Sequence, residues 1–186
     1  ADMMGTDDPR WMLNYLQAQR FARIKRAGGS EPPVVFPEFD YLLLVGSSTT
    51  FEAFTESPVL GRQEQNVRLA FTSRGRDVPV INKAASGSKI ADLDANINTY
   101  MTQLGGPTKK VAVLINIGSN DIGATAYESM LQAEKDAMLA GLNSIYNKVL
   151  AAGHTPIIAT VHSRQSSQAL YEEWAEKMYR PLIESL

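Results

Sequence analysis

The stretch Tyr41-Leu-Leu-Leu-Val-Gly-Ser-Ser-Thr-Thr50 joins a continuous apolar run to a turn rich in small hydroxyl residues. A run such as Tyr41 to Val45 is typical of a strand that is buried on both faces, as strands of parallel sheets are. Gly46 ends the run, and the serines follow where a strand would turn towards a helix. The stretch therefore predicts the first strand of an α/β domain.

The same alternation of strand and helix patterns continues to the end of the chain. Further strands are predicted at 78–81, 111–117 and 156–161, and helices at 63–73, 90–104, 127–152 and 168–186. This repeated alternation favours a parallel, doubly wound α/β sheet. Ligands of such sheets bind outside the carboxyl ends of the strands. The residues that follow each strand are therefore the candidates for function.

The chain divides into two predicted parts. Residues 1–40 comprise a helix over Asp8–Ala27 and then an extended linker that carries Pro32, Pro33 and Pro37. Gly28 and Gly29 would stop the helix, and prolines disfavour regular structure in the linker. Residues 41–186 form the predicted α/β domain.

The composition excludes several classes of protein. The net charge of −2 gives no electrostatic basis for binding nucleic acid. The chain lacks cysteine, which excludes disulfides and thiolate metal sites, and no apolar run approaches the length of a membrane span. The acidic pairs Asp7/Asp8 and Asp92/Asp94 have no histidine at ligand spacing. We therefore expect no cofactor, no metal, and no nucleic-acid or membrane partner.

Three residues that follow predicted strands have chemistry suited to acyl transfer. Ser48 follows the first strand, at a turn where a hydroxyl can project from the sheet as a nucleophile. Gly87 follows the second strand and can bring its backbone N–H close to a ligand. Asn120 follows the third strand and carries a neutral amide, which can stabilise an oxyanion. Each of these could instead be an ordinary turn or capping residue, but their joint order along one sheet edge favours a site in which Ser48 and Asn120 face one small cavity.

At this point the chain resembles the SGNH/GDSL hydrolase superfamily from about Tyr41 to its end. Gly46-Ser47-Ser48 is similar to the first block of that family, Asn82–Gly87 to the second, and Gly118-Ser119-Asn120-Asp121 to the third. The resemblance implies a three-layer α/β/α flavodoxin-like sandwich. It also implies ester hydrolysis through an acyl-enzyme on Ser48, with Gly87 and Asn120 as oxyanion donors.

The chain departs from the family pattern at two places. Serine stands at position 47, where the family usually has aspartate. The Asp-x-x-His block, which supplies the family's acid and base, does not occur in the sequence. We expect that block, with its strand and helix, on a segment that follows Leu186 in the natural protein. In a rival interpretation His162, after the fourth strand, is the base, but a role in substrate binding is preferred for it. His154 is interpreted as a turn residue that matches a helix dipole at the opposite edge.

The resemblance also suggests a substrate. Similar Gly-Ser-Ser-Thr-Thr turns occur in carbohydrate acetylesterases, which implies removal of O-acetyl groups from a carbohydrate or surface polysaccharide. A secreted bacterial enzyme or a phage virion protein would suit this activity. The alternatives are a lipase or thioesterase of the same superfamily, or a catalytically degenerate domain that binds glycans. A nucleotide-binding domain is disfavoured, because no glycine-rich phosphate loop follows the first strand.

Overall fold

The computed structural model describes residues 39–48, 77–104, 108–161 and 168–186. The predicted N-terminal helix and almost all of its linker lie outside these ranges, as does the predicted helix at 63–73. Helices and strands are numbered below over the described residues alone.

Four parallel strands form one sheet within this part of the chain. The strands are β1 (Tyr41–Gly46), β2 (Val80–Asn82), β3 (Val111–Asn116) and β4 (Thr155–Ile158), in the order β2-β1-β3-β4. The parallel sheet predicted from the sequence is therefore confirmed. The apolar runs of β1 and β3 occupy the centre of the sheet, where both faces of a strand are covered.

The helices are shorter or more irregular than the sequence pattern predicts. They are α1 (Ile90–Thr102), α2 (Ser119–Ile122), α3 (Gln132–Ala151), α4 (Gln168–Trp174), a π-helical turn (Ala175–Tyr179) and α5 (Arg180–Ser185). None of the described helices is both long and apolar enough to cross a membrane.

The predicted helix at 127–152 is wrong at its beginning. A 3₁₀ turn at Tyr127–Ser129 comes first, and α3 begins only at Gln132. Met130 and Leu131 are extended, and the Glu134 carboxylate accepts a hydrogen bond from the Leu131 N–H at 3.1 Å. A glutamate at this position satisfies a backbone donor that the helix leaves unpaired, and so fixes the start of the helix.

The strand ends also differ by a few residues from the prediction. The second strand spans 80–82 instead of 78–81, and the fourth spans 155–158 instead of 156–161. Hydrogen bonding to the neighbouring strand sets these ends, and the apolar pattern continues beyond the paired residues.

Apolar side chains cover both faces of the sheet, because successive residues of a strand point to opposite sides. The larger cluster includes Leu43, Val113 and Ile115 and joins the sheet to α1, α3 and the C-terminal helical residues. The smaller cluster, which includes Leu42 and Leu44, lies on the other face. Both faces are thus apolar, as a three-layer α/β/α sandwich requires.

Candidate active site

The carboxyl ends of β1 and β3 meet at the point where the strand order reverses. From β1 the chain crosses to β2 on one side, and β3 lies on the other, which is the position where flavodoxin-like sheets bind ligands. Here the Ser47 and Ser119 hydroxyls are hydrogen-bonded, with 2.8 Å between their Oγ atoms. The Ser47 N–H also donates to the Asn116 carbonyl at 3.3 Å. The segments that follow the two central strands are therefore joined directly.

Ser48 lies two residues beyond the end of β1 and is buried, with 4% of its surface exposed. The last residue of that strand, Gly46, is held from both sides. Its backbone is in register with Asn116 of β3, and its carbonyl accepts a hydrogen bond from the Ala85 N–H at 3.1 Å. The backbone that leads into Ser48 is thus fixed by the strand on one side and by the loop after β2 on the other.

Gly87 lies in a β-turn after β2, at the same edge of the sheet. The Ser88 N–H donates to the Ala85 carbonyl at 3.2 Å and closes the turn, and Gly87 has a φ of +82°. A positive φ at the third residue of a turn favours glycine. Gly87 is exposed, and a Cβ atom at this position would meet nothing within 4 Å. Space for a ligand atom is therefore available beside its backbone.

Asn120 lies in α2, immediately after Ser119, and its side chain has a fixed orientation. Its Nδ2 donates a hydrogen bond to the Ser88 carbonyl at 2.9 Å. An amide nitrogen carries two N–H groups, so one of them remains for another acceptor. This contact links the segment after β3 to the turn that contains Gly87. The structure thus places all three predicted residues, Ser48, Gly87 and Asn120, on segments that touch one another.

Asp121 ties the same segment to the start of α1. Both of its carboxylate oxygens accept from the Ile90 N–H, at 3.1 and 3.3 Å. A carboxylate at a helix N-terminus satisfies an unpaired donor and complements the helix dipole. Burial nevertheless raises the pKa of Asp121, and this outweighs the opposing effects of the Ile90 hydrogen bond and the Lys89 charge. Over the interval of the shift the folded state holds an extra proton, so this group's contribution to stability falls as the pH rises.

Neither histidine is shown next to Ser48. His162, predicted to contact substrate, lies among residues 162–167, outside the described part of the chain. His154 precedes β4 and therefore lies at the opposite, amino edge of the sheet. It is 6% exposed, and burial lowers the pKa of its imidazole. The structure agrees with the prediction that His154 follows a helix end at this edge, but burial favours the neutral ring, which does not complement the helix dipole.

Two contacts of the site did not follow from the sequence reasoning. In the sequence Ser47 is only a departure from the family pattern, yet its hydroxyl joins the two central segments. Asp121 is only part of a motif there, yet in the structure it caps a helix that begins 31 residues earlier. A hydroxyl at both 47 and 119 was the available signal for the first contact, but the sequence does not show that the two side chains meet.

The described residues contain no group of three or more histidine, aspartate or glutamate side chains that could hold a metal ion. The two aspartates of α1 have structural partners instead. Asp92 accepts a hydrogen bond from the Lys89 N–H at 2.9 Å, and Asp94 pairs with Lys148 of α3 at 2.8 Å. Asp7 and Asp8 lie outside the described residues.

No protein-family model matches the chain, and no curated protein sequence matches it. Solved structures do match. TesA has a TM-score of 0.59 and 20% identity over 78% of this chain and 73% of its own. Axe2, an acetylxylan esterase from Geobacillus stearothermophilus, has a TM-score of 0.52 and 17% identity over 78% of this chain and 72% of its own. A protein described as lipolytic and of the G-D-S-L family, from Desulfitobacterium hafniense, has a TM-score of 0.55 and 18% identity over 78% of this chain and 73% of its own.

These similarities agree with the parallel α/β sheet of this chain. Because the sequence identities are low, these structural similarities establish the fold alone. The activity depends on the residues of the site. The described part of this chain has the α/β fold of the SGNH/GDSL hydrolases.

Proposed function

We propose that this protein is a serine esterase, with Ser48 as the nucleophile of an acyl-enzyme mechanism. The observation that carries the proposal is the hydrogen bond between Ser47 and Ser119. It joins the residue before Ser48 to the residue before Asn120, at the position where sheets of this order bind ligands. It thereby supports a site in which Ser48, the proposed nucleophile, and Asn120, the proposed amide donor, lie on adjoining segments.

The reaction follows from the groups at this edge of the sheet. The Ser48 Oγ attacks the acyl carbonyl carbon while its proton passes to a base. The carbonyl oxygen becomes an oxyanion, which accepts hydrogen bonds from the backbone N–H groups of Ser48 and Gly87 and from the free N–H of Asn120. The bond from the acyl carbon to the alcohol oxygen breaks, and the alcohol leaves with a proton from the base. Water then attacks the acyl carbon while its proton passes to the base, and the bond to Ser48 Oγ breaks, which releases the acid and returns the proton to Ser48.

The base has two candidate sources. One is an Asp-x-x-His segment in a longer polypeptide, as the family resemblance implies, and the other is His162 of this chain. His154 is excluded by its place at the amino edge of the sheet. Without a base the hydroxyl stays protonated at neutral pH, and only the weak catalysis of the oxyanion donors remains.

The proposed substrate is a small O-acyl ester, in particular an O-acetyl group on a carbohydrate. The sequence Gly-Ser-Ser-Thr-Thr at 46–50 supports this choice, and so does the likeness to a solved structure whose name is acetylxylan esterase. A lipase or a thioesterase of the same fold is the alternative. A series of p-nitrophenyl esters from acetate to decanoate distinguishes them, because a small acyl pocket favours the shortest chain.

The test of the proposal is hydrolysis of p-nitrophenyl acetate together with labelling by an alkyl phosphonate. We expect Ser48→Ala to lose both activity and labelling. Ser129→Ala, at an exposed serine of the 3₁₀ turn, serves as the matched control and should keep both. Labelling of a different serine in the native protein would refute the proposal. If His162→Ala loses activity and its Ser48 is still labelled, but slowly, the base would be assigned to His162.

A binding function without catalysis is the second candidate, and the missing Asp-x-x-His is the feature that favours it. Calorimetric titration with acetylated xylo-oligosaccharides distinguishes the two. A degenerate domain would bind these sugars, leave their acetyl groups in place, and give no phosphonate adduct.

A further inference from the structure

Three aromatic side chains from the C-terminal helical residues donate hydrogen bonds to one short segment, residues 117–125, which follows β3. The pairs are Tyr179 Oη to the Ile117 carbonyl at 2.6 Å, Trp174 Nε1 to the Thr125 carbonyl at 2.9 Å, and Tyr171 Oη to the Gly123 carbonyl at 3.4 Å. This segment contains the whole Gly-Ser-Asn-Asp motif. The backbone carbonyls near both ends of this segment thus accept hydrogen bonds from residues outside the sheet.

The strongest of these contacts is the one nearest to the site. Tyr179 is 0% exposed and Ile117 is 1% exposed, so the hydrogen bond between them replaces a contact with water that the Ile117 carbonyl cannot make. A buried carbonyl that lost its donor would stay unpaired, which is costly. Burial raises the pKa of the Tyr179 hydroxyl, and the nearby Asp121 carboxylate raises it further. The hydroxyl therefore remains a donor across the working pH range.

A π-helical turn brings these two aromatic residues to the same side. In a regular α-helix, the side chains of two residues that are five positions apart point in directions about 140° apart. Between Trp174 and Tyr179 the helix is π-helical, and the Arg180 N–H donates to the Ala175 carbonyl five residues earlier. Residues five apart then share a face. The irregular turn is thus what allows both rings to reach residues 117–125.

The segment is shaped to receive the tyrosine. Gly118 has a φ of +117°, and a Cβ atom there would lie 1.8 Å from the Tyr179 hydroxyl. The ring therefore fills the space beside Gly118, two residues before Asn120. Ser119, between them, bonds to Ser47. A shift of Gly118 would therefore be passed through Ser119 to the amide donor of Asn120.

We infer that Tyr179 is a positioning residue, which holds Asn120 in place as an oxyanion donor by fixing the backbone at Ile117 and Gly118. Tyr179 does not touch the substrate. It acts through Asn120, and the inference therefore rests on the proposed esterase function.

The first experiment measures the steady-state hydrolysis of p-nitrophenyl acetate by the full protein and its Tyr179→Phe variant. This substitution removes only the hydroxyl. We expect kcat to fall about tenfold with an unchanged KM, since small misplacements of catalytic groups lower the rate of the chemical step. Tyr100→Phe is the matched control. It removes a hydroxyl ten residues into α1, about 15 Å along the helix from Asp121, and should leave both constants unchanged.

The second experiment repeats Tyr179→Phe in an Asn120→Ala background. If Tyr179 acts through Asn120, its tenfold effect disappears there, because the group that it positions is absent. An equal loss of kcat in both backgrounds would assign Tyr179 a general structural role and overturn the inference. Unchanged kcat in Tyr179→Phe alone would also overturn it.

Hydrogen exchange of the backbone amides at 118–122 separates this inference from the proposed function. We expect at least fivefold faster exchange there in Tyr179→Phe, and no change in Tyr100→Phe. If the native protein hydrolyses no ester, the proposed function fails, but the exchange still tests whether Tyr179 fixes the segment. Unchanged exchange would refute the positioning role even in an active enzyme. Should Tyr179→Phe fail to fold, Tyr171→Phe, which removes the longer bond to Gly123, replaces it in the same assays, with an expected loss of about twofold in kcat.

Discussion

Polar groups pair across segments at both edges of the sheet, as the Asp40 carboxylate does with the Lys110 N–H at the amino edge, but the two edges differ at their buried polar side chains. At the carboxyl edge the polar side chains pair across segments: Ser47 with Ser119, Asn120 with the Ser88 carbonyl, and Asp121 with the Ile90 N–H. At the amino edge His154 is buried, and its Nδ1 has no hydrogen-bond partner in the described part of the chain. The polar side chains of the carboxyl edge are thus oriented in advance of any ligand, and stabilisation of a developing charge depends on such prior orientation.

The largest effect at the carboxyl edge is expected from removal of the Asn120 side-chain amide. We expect Asn120→Ala to lower kcat for p-nitrophenyl acetate about a hundredfold or more, because an oxyanion donor acts mainly in the transition state. Asn147→Ala, at an exposed position of α3, should be without effect. A loss confined to KM would show that Asn120 binds substrate and does not stabilise the oxyanion.

A pair of glycine substitutions compares the two edges by stability. Gly118→Ala places a methyl group against Tyr179 at a φ that side chains rarely adopt, and should cost about 3 kcal/mol. Gly153→Ala, beside His154, also has a positive φ of +77°, but its Cβ would meet nothing within 4 Å. It should therefore cost only about 1 kcal/mol. Urea denaturation measures both, and equal costs would show that the close packing at Gly118 is unimportant.

The hydroxyl pair can be tested by a double-mutant cycle. Ser47→Ala should lower the free energy of unfolding by about 1 kcal/mol, because Ser47 is 0% exposed and its bond to Ser119 is lost. Ser119→Ala should do the same. Both substitutions remove the same hydrogen bond. The double variant should therefore lose clearly less free energy of unfolding than the sum of the two single losses. Strict additivity would mean that the pair does not couple the two segments.

The smallest expected effect is a pH dependence at the amino edge. Burial lowers the pKa of His154, so below the unfolded-state value of about 6.5 the unfolded chain binds more protons than the folded chain. Stability should therefore fall as the pH drops from 7.5 towards 5. His154→Gln should flatten that fall in urea denaturation. A steeper fall in the variant would contradict the assigned direction.

Much of the fold followed from the sequence because its signals are local. The apolar runs of β1 and β3, the helical spacing of Ile90, Leu93, Ile97 and Met101, and the turn residues after each strand all depend on near neighbours. The start of α3 does not follow from the periodicity, because the Glu134 side chain caps the helix so that it begins at Gln132. Periodicity alone extends a helix as far as the pattern continues, whereas caps end it.

The candidate site was predictable in part for the same reason. Ser48, Gly87 and Asn120 each follow a strand, and parallel strands bring their carboxyl ends to one edge. Their roles in catalysis remain predictions. The partners that orient them did not follow from the sequence, since turn residues such as Ser47 and Ser88 have many equivalent uses.

The sequence by itself determined a parallel sheet and the order in which a serine, a glycine and an amide reach its edge, because strand burial and turn chemistry depend on neighbouring residues. Only the tertiary structure decided that Ser47 meets Ser119, 72 positions away, and that Tyr179 reaches the Ile117 carbonyl, 62 positions away. Such pairs form only after helices and strands have packed. The residue type alone does not show whether a serine or tyrosine hydroxyl faces water or bonds to a distant part of the chain.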